Sequence, residues 1–316
     1  MHKLSARWLL AFCVPALALS VFVTDPYRLS LLNLIAISAV IAASLRFVML
    51  IGELNMAVAA SMGLGAYGAG AATTMFQLPF LSSLMIGALV ATIICTVFGA
   101  ITLRAKGPYF MLMGFAFSEF MRILYTRSDW LGGNSGLVGI FPPKYMTAWM
   151  PTFVVVVAII LLALLFWLEN LDFGRVLVGI RDNEDVVRTV GIDVTLYKIL
   201  CVSIASFCAG AAGALHAFVN NVISPADFGF LVGVFALSYV KIGGESTIAG
   251  PILGSILLVL LGSYALGLGT GEHLFYGAVI VFSMLLLPGG ILGLGSKWYR
   301  LAMAKRRGLS APASPN

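Results

Sequence analysis

Two residues of opposite charge, Glu119 and Arg122, lie three positions apart inside an apolar run of the 316-residue chain. At this spacing both side chains lie on one face of a helix. A charge at the centre of a bilayer costs about 2.5–3.5 kcal/mol on insertion scales, so neither side chain is expected to face lipid. The spacing predicts either an ion pair near the outer end of a buried helix or the polar lining of a solute path.

A second candidate for a functional role is the segment 169–198, which carries ten charged residues. Within it, Asn183 is a predicted N-cap, with acidic residues in the first turn, where the helix dipole favours anions. Valines then form a predicted apolar stripe, and a glycine follows at the expected end of the helix. So short a helix needs a packing surface, which is either its own bundle or another protein. The residues of this predicted helix are Asn183, Glu184, Asp185, Val186, Val187, Arg188, Val190 and Gly191.

Sequence motifs of enzymes are absent from the chain. It contains no G-x-x-x-x-G-K-[ST] phosphate loop, no H-E-x-x-H and no G-x-S-x-G. Its four cysteines lie singly in apolar runs without C-x-x-C spacing, which is typical of packing residues. The chain is therefore expected to be no enzyme, to bind no metal or cofactor of its own, and to be driven by a partner.

The elements that position these residues follow from composition. The chain is 60% hydrophobic and only 10% charged, and its mean hydropathy is +1.03. A soluble domain is about 25% charged, so soluble and disordered classes are excluded. Its basic residues stand mostly singly between apolar runs, which excludes a nucleic-acid-binding face and leaves membrane lipid as the surrounding medium.

About ten transmembrane spans are predicted, so the fold class is an all-α, polytopic membrane helical bundle. The third span is rich in glycine and alanine and the eighth is too short to cross alone. Both are candidates for lining a path, because broken helices are tolerated only inside protein or beside water. Spans two to five and seven to ten suit an inverted repeat. The predicted spans are 8–23, 29–45, 55–76, 80–103, 109–125, 150–168, 200–219, 228–240, 250–266 and 274–292.

The distribution of basic residues predicts orientation. With ten spans, fifteen Lys and Arg residues lie on the side of both termini, and only Arg28, Arg127 and Lys144 lie on the other. By the positive-inside rule, both termini and the segment 169–198 are cytoplasmic. The first span is expected to be retained rather than cleaved as a signal peptide. Residues 1–300 then form the transmembrane domain, and 301–316 form a short basic, then disordered, cytoplasmic tail.

Several short motifs, in order from 29 to 293, carry a resemblance to a known family. The chain resembles the permease subunits of bacterial ABC importers of the branched-chain amino-acid type. The motifs are Gly63-Leu64-Gly65-Ala66-Tyr67, Gly107-Pro108-Tyr109-Phe110, Phe115-Ala116-Phe117-Ser118-Glu119, Gly132-Gly133-Asn134-Ser135-Gly136-Leu137, Gly174-Arg175, Ile180-Arg181-Asp182-Asn183-Glu184, Gly191-Ile192, Tyr197-Lys198, Ser224-Pro225, Gly243-Gly244 and Gly250-Pro251.

The resemblance implies an importer subunit of the bacterial inner membrane. It would work with a second permease subunit, two cytoplasmic ATPase subunits that bind ATP, and a periplasmic solute-binding protein. The segment 169–198 would contact the ATPase through Gly174, Arg175, Arg181, Asn183, Glu184, Val186, Val187 and Val190. Candidate residues of the solute path are Gly63, Gly65, Tyr67, Glu119 and Arg122.

One departure from the family pattern leaves the solute open. The family commonly has Ser-Leu-Gly-His a few residues before the Gly-Ala-Tyr stretch, where this chain has Asn55-Met56-Ala57-Val58. The solute is therefore either a leucine-type amino acid or another small polar compound. The alternative from another class is an ion-coupled secondary transporter, which would need carboxylates at mid-membrane, and only Glu119 approaches that position.

Overall fold

The computed structural model describes residues 25–105 and 107–265, together with residues 17, 20, 277, 281 and 290–293. The described chain is built from α-helices, joined by short 3-10 turns and one pair of two-residue strands. The helices are α1 Pro26–Met49, α2 Val58–Thr74, α3 Phe80–Thr102, α4 Pro108–Arg127, α5 Met150–Asn170, α6 Asp172–Asp182, α7 Glu184–Thr189, α8 Val194–Asn220, α9 Phe230–Gly243 and α10 Ala249–Ala265. The strands are β1 Leu137–Val138 and β2 Val222–Ile223.

Local sequence signals set several helix ends. The Asp25 carboxylate accepts a hydrogen bond from the backbone N–H of Tyr27 at the start of α1. The Asp193 side chain accepts from two backbone N–H groups at the start of α8. Both contacts satisfy donors that a helix N-terminus leaves unpaired. At the other end of α8, Asn221 adopts a left-handed conformation with φ of 61°, a common way for a helix to stop.

Helices α2, α3 and α8 pack together at the centre of the bundle. A Cβ atom at Gly65 would lie 2.0 Å from the carbonyl oxygen of Gly210, and one at Gly213 would lie 1.9 Å from that of Met62. Backbones thus touch where a side chain would separate them. This is the small-residue packing expected in lipid, where apolar burial alone does not hold helices together.

The bundle has two distinct ends. At the loop end, defined by residues 169–198, the Phe47 ring stacks on Phe173 and Phe173 stacks on Tyr197. At the strand end, defined by β1 and β2, Leu137 pairs with Ile223 in an antiparallel ladder. Helix α1 therefore ends where α8 begins, and the two helices run in opposite directions.

The order of elements is the same in two parts of the chain. A long helix, a connection without α-helix, a short helix and another apolar helix occur as α1, 50–57, α2 and α3, and again as α8, 221–229, α9 and α10. Contacts correspond too, since α2 and α3 pack on α8 while α9 and α10 pack on α1. These three helices in each half, running in opposite directions, agree with the predicted inverted repeat.

Eight of the ten predicted spans coincide with helices α1 to α5 and α8 to α10. Of these, α1, α3, α5 with its preceding turn, and α8 are long and apolar enough to cross a membrane. The eighth span, predicted to be too short to cross alone, is a helix of 14 residues, which confirms that prediction, and the Gly- and Ala-rich third span is a helix of 17 residues. Apart from residues 17, 20, 277, 281 and 290–292, spans 8–23 and 274–292 lie outside the described residues, as does the whole tail 301–316. The protein is a polytopic helical membrane protein.

Candidate functional site

An aromatic cluster at the strand end brings together two predicted path residues, Gly63 and Tyr67. The Tyr67 ring stacks on Tyr125 of α4 with 4.2 Å between centroids, and it meets the edge of Phe228 at 5.8 Å. A Cβ at Gly63 would lie 3.1 Å from atoms of both Tyr125 and Phe228, so glycine admits these rings. The hydroxyl groups of Tyr67 and Tyr125 are buried without a hydrogen-bond partner in the described part of the chain.

Gly65 lies elsewhere. It faces α8, where its Cα hydrogens meet the backbone of Gly210, and the structure does not bring it to the aromatic cluster. Positions 63 and 65 are two residues apart and so point to different sides of a helix. Which glycine packs and which borders the cluster has no signal in the sequence, because both belong to one Gly-rich run.

The predicted pair of Glu119 and Arg122 is confirmed, with 2.7 Å between Arg122 Nε and Glu119 Oε2. The pair is partly exposed, with 26% of the Glu119 side chain and 39% of the Arg122 side chain accessible. The other carboxylate oxygen, Oε1, accepts a hydrogen bond from the backbone N–H of Phe230 at 3.0 Å. Glu119 therefore joins α4 to the N-terminus of the short helix α9.

Sequence analysis missed this contact with α9. A signal was present, since α9 begins after Gly229, which has no side chain to cap the helix. Such an N-terminus needs an acceptor from elsewhere, and an acidic side chain suits the positive end of the helix dipole. The partner stands 111 residues away in the chain, which spacing alone does not reveal.

In the segment 169–198, the predicted N-cap at Asn183 is confirmed. Its side-chain oxygen accepts hydrogen bonds from the backbone N–H groups of Asp185 and Val186 at 3.1 and 3.2 Å. Helix α7 then runs from Glu184 to Thr189, and Gly191 follows with φ of +81°. The first turn therefore has the cap that the sequence predicts, and the glycine stands two residues beyond the helix.

The prediction that three valines form one stripe is wrong. Val187 is 9% exposed and packs with Ile180 and Val194 of its own segment. Val186 and Val190 are 57% and 72% exposed. Positions 186 and 187 point about 100° apart on the helix, and of the two only 187 faces the apolar residues of its own segment. Val187 therefore holds the segment together, whereas Val186 and Val190 form an exposed apolar patch.

Glu184 forms ion pairs within α7 and with α8. Glu184 accepts from Arg188 at 2.7 Å and from the buried Lys198 ammonium at 3.1 Å. No helix was predicted within 169–182, where the structure has α6 over 172–182, which carries Gly174, Arg175 and Arg181. Arg175 pairs with Asp172 at the exposed surface. A Cβ at Gly174 would lie 2.0 Å from the Glu169 carbonyl oxygen, so the tight turn between α5 and α6 requires glycine.

Arg46 is a further residue that the sequence analysis placed only by charge. It was counted as a basic residue of the inner side, but the structure buries it to 2% exposure and pairs it with Glu169. Cationic side chains are seldom fully buried unless paired, and this partner is 123 residues away. Among the described residues, no group of three or more His, Cys, Asp or Glu side chains could hold a metal ion.

The described membrane bundle thus combines backbone-packed helices, two short helices beside the aromatic cluster and a charged, capped loop segment. Comparison with known proteins then gives the family. Residues 27–286 match the family described as branched-chain amino acid transport system / permease component, and the chain belongs to this family.

Individual relatives agree with this. The high-affinity branched-chain amino acid transport system permease protein LivM of Salmonella typhimurium is 25% identical over 278 residues, covering 78% of this chain and 65% of LivM. The probable LivH permease of Methanocaldococcus jannaschii is 31% identical over 46% of this chain and 48% of that protein. The ribose import permease RbsC of Haemophilus influenzae is 23% identical over 76% of this chain and 74% of RbsC. This chain thus spans about two thirds of the LivM length. No solved structure matches it.

Proposed function

We propose that this chain is a transmembrane permease subunit of an ATP-driven ABC importer in the bacterial inner membrane. It moves an amino acid or a related small polar solute into the cytoplasm. Its partners are a second permease subunit, two ATPase subunits that bind the ATP, and a periplasmic solute-binding protein. Family membership supports this class, and the names of the LivM and RbsC relatives support small polar solutes.

The observation that carries the proposal is the exposed apolar patch of Val186 and Val190 on a fixed support. Helix α7 is too short to be stable alone, yet its cap, the buried Val187 and the Glu184–Lys198 pair hold it in place. Two exposed valines surrounded by charged residues suit the centre of a small protein contact, with the ion pairs at its rim. We assign this contact to the ATPase subunit on the cytoplasmic side.

The proposed solute path runs beside α2, α4 and α9 at the strand end. The aromatic cluster of Gly63, Tyr67, Tyr125 and Phe228 closes the space between these helices. The partly exposed pair of Glu119 and Arg122 stands next to it, where it is not suited to lipid. The engagement of Glu119 by Arg122 and by the Phe230 N–H disfavours a secondary transporter, because this carboxylate is not free to bind a coupling ion.

The ATPase contact is tested by Val190→Asp in the tagged permease, purified with its ATPase subunits. We expect normal amounts of permease in the membrane but loss of ATPase recovery and uptake, because a charge replaces the exposed apolar side chain. Val138→Asp is the matched control, since Val138 is 63% exposed, against 72% for Val190, but lies at the strand end. Full ATPase recovery and normal uptake with Val190→Asp would contradict the proposal.

Orientation and solute need separate measurements. A reporter fused after Asn316 should be active only if it functions in the cytoplasm, and activity of a periplasmic reporter would overturn the proposed orientation. The solute is identified by thermal-shift screening of the partner binding protein against amino acids, amides and sugars. Stabilisation by none of the small polar compounds would contradict the proposed solute class.

A further inference from the structure

Arg46 is an arginine in the last turn of α1 whose polar atoms are engaged by two other parts of the chain. Its Nη1 and Nη2 atoms donate to the two Glu169 carboxylate oxygens at 2.8 and 2.7 Å. Its Nε donates to the backbone carbonyl of Glu245 at 2.8 Å. One side chain thereby joins α1, the start of the segment 169–198, and the turn that follows α9.

Stability alone is a weak reason for such a buried ion pair. The cost of removing both charges from water offsets most of their attraction, and apolar replacements of similar volume are often neutral or stabilising. What the pair adds is geometry, because the planar guanidinium and the carboxylate meet through two parallel hydrogen bonds. The pair therefore fixes the position of Glu169 relative to α1.

A second contact joins the same two regions. In the connection 50–57, Gly52 has φ of +81°, and a Cβ there would lie 3.0 Å from Cγ of Arg181 at the end of α6. Between this contact and the ion pair lies a cavity of about 180 Å³, whose polar lining is Arg46, Glu53, Arg181 and Glu245. The segment 169–198 thus meets the end of α1 at separate points with open space between them.

The connection 50–57 in turn holds the ends of two helices of the proposed solute path. The Glu53 carboxylate accepts a hydrogen bond at 2.8 Å from the N–H of Gly107, directly before α4. The Asn55 side-chain oxygen accepts from the N–H of Ala57 at 3.0 Å, directly before α2. A displacement of this connection would therefore move the starts of both helices.

We propose that the Arg46–Glu169 pair is the positioning link through which movement of the segment 169–198 reaches helices α2 and α4. The inference rests on the proposed function, in which that segment contacts the ATPase. Arg46 and Glu169 touch neither ATPase nor solute; they hold the segment to the end of α1, which continues directly into the connection 50–57, so that the segment and the connection move together. Without the pair, ATP hydrolysis proceeds but is no longer coupled to solute movement.

The test is the double variant Arg46→Met/Glu169→Leu, reconstituted in proteoliposomes with the ATPase subunits and the binding protein. Apolar replacement of both partners keeps volume and removes the buried charges together, so we expect normal abundance and full ATPase recovery. Uptake per ATP hydrolysed should fall about tenfold or more, which is a typical size for coupling between sites. Arg28→Met is the matched control, because Arg28 is an exposed residue at the opposite end of α1.

Normal uptake per ATP in the double variant would overturn the inference. If that variant does not reach the membrane, Arg46→Lys decides, since lysine keeps the charge but loses the two-pronged geometry. Reduced uptake per ATP with bound ATPase then supports the link, whereas normal uptake, or loss of folded protein in this variant also, overturns it. Failure of the proposed function is recognised separately, because the unmodified permease would then recover no ATPase.

Discussion

The central packing of α2, α3 and α8 and the segment 169–198 are held together in opposite ways. In the centre, Gly65, Gly210 and Gly213 bring backbones into contact, and the absence of side chains is the determinant. In the segment, caps and ion pairs around Asn183 and Glu184 hold two short helices in place. Apolar burial between helices gives no hydrophobic stabilisation in lipid, so the central helices are held by the van der Waals contact that close approach allows. The segment is rich in charge and is held by directional polar contacts.

The role of close backbone contact in the central packing is tested most directly by adding one methyl group there. Gly65→Ala would place Cβ 2.0 Å from the Gly210 carbonyl oxygen, so α2 and α8 must separate. We expect a loss of about 3 kcal/mol or more, since strain here falls on backbone rather than on a flexible side chain. The yield and melting temperature of detergent-extracted protein measure this loss.

The control for that substitution is Ala116→Val, which adds bulk at an exposed position of α4. Its yield and melting temperature should remain close to those of the unmodified protein. If Gly65→Ala extracts and melts like the control, close backbone approach is not what stabilises the centre.

In the segment 169–198, Val187→Asp should be the most damaging change. Val187 packs on Ile180 and Val194, so a charge there would be buried at a cost of about 2–3 kcal/mol. We expect both loss of ATPase recovery and rapid proteolysis within the segment, while the membrane helices stay folded. Limited proteolysis separates this outcome from Val190→Asp, which should remain protease-resistant. Equal protease resistance of the two variants would contradict the inward packing of Val187.

Glu119→Gln tests whether a polar contact also stabilises the membrane helices, because it removes an ion pair inside the bundle. The amide oxygen still accepts from the Phe230 N–H, but Arg122 loses its ionic partner. We expect a loss of about 2 kcal/mol, the size of a hydrogen bond to a charged group, and less folded protein in membranes. Normal abundance with lost uptake would instead show that the pair serves the solute path rather than stability.

The smallest effect is expected for Asn183→Ala. It removes the side chain that accepts from the N–H groups of Asp185 and Val186, which should cost α7 about 1 kcal/mol. Asn183→Asp keeps an acceptor and serves as the control. Hydrogen exchange of the α7 amides measures the difference, and unchanged protection in Asn183→Ala would show that the cap does not hold this helix.

Much of the fold could be predicted because a helix that crosses the hydrocarbon core must be long and apolar. All eight predicted spans within the described residues are helices, and the one predicted to be too short to cross alone is the 14-residue α9. The Glu119–Arg122 pair and the Asn183 cap were predictable because they act over three residues or fewer. For such contacts, both partners lie within one short stretch of sequence, so their spacing is enough to predict them.

Longer-range contacts could not be predicted in the same way. The partners of Arg46 stand 123 and 199 residues away, and its burial depends on three segments meeting. Helix α6 has a readable signal, since Phe173, Val176, Leu177 and Ile180 follow a helical period, although no helix was predicted there. Likewise, that Gly63 borders the aromatic cluster while Gly65 packs on α8 depends on which helices lie beside α2.

The short helices also bear on how the protein enters its membrane. At 1.5 Å per residue, the 17 residues of α2 and the 14 of α9 extend about 25 and 21 Å, less than the hydrocarbon thickness of about 30 Å. Neither is expected to be integrated by the translocon alone. Helix α2 is followed closely by α3, which is long and apolar enough to cross a membrane, so α2 and α3 should insert together as a hairpin. Glycosylation mapping of residues 58–74 against 58–102 tests this, and efficient integration of the shorter segment would argue against paired insertion.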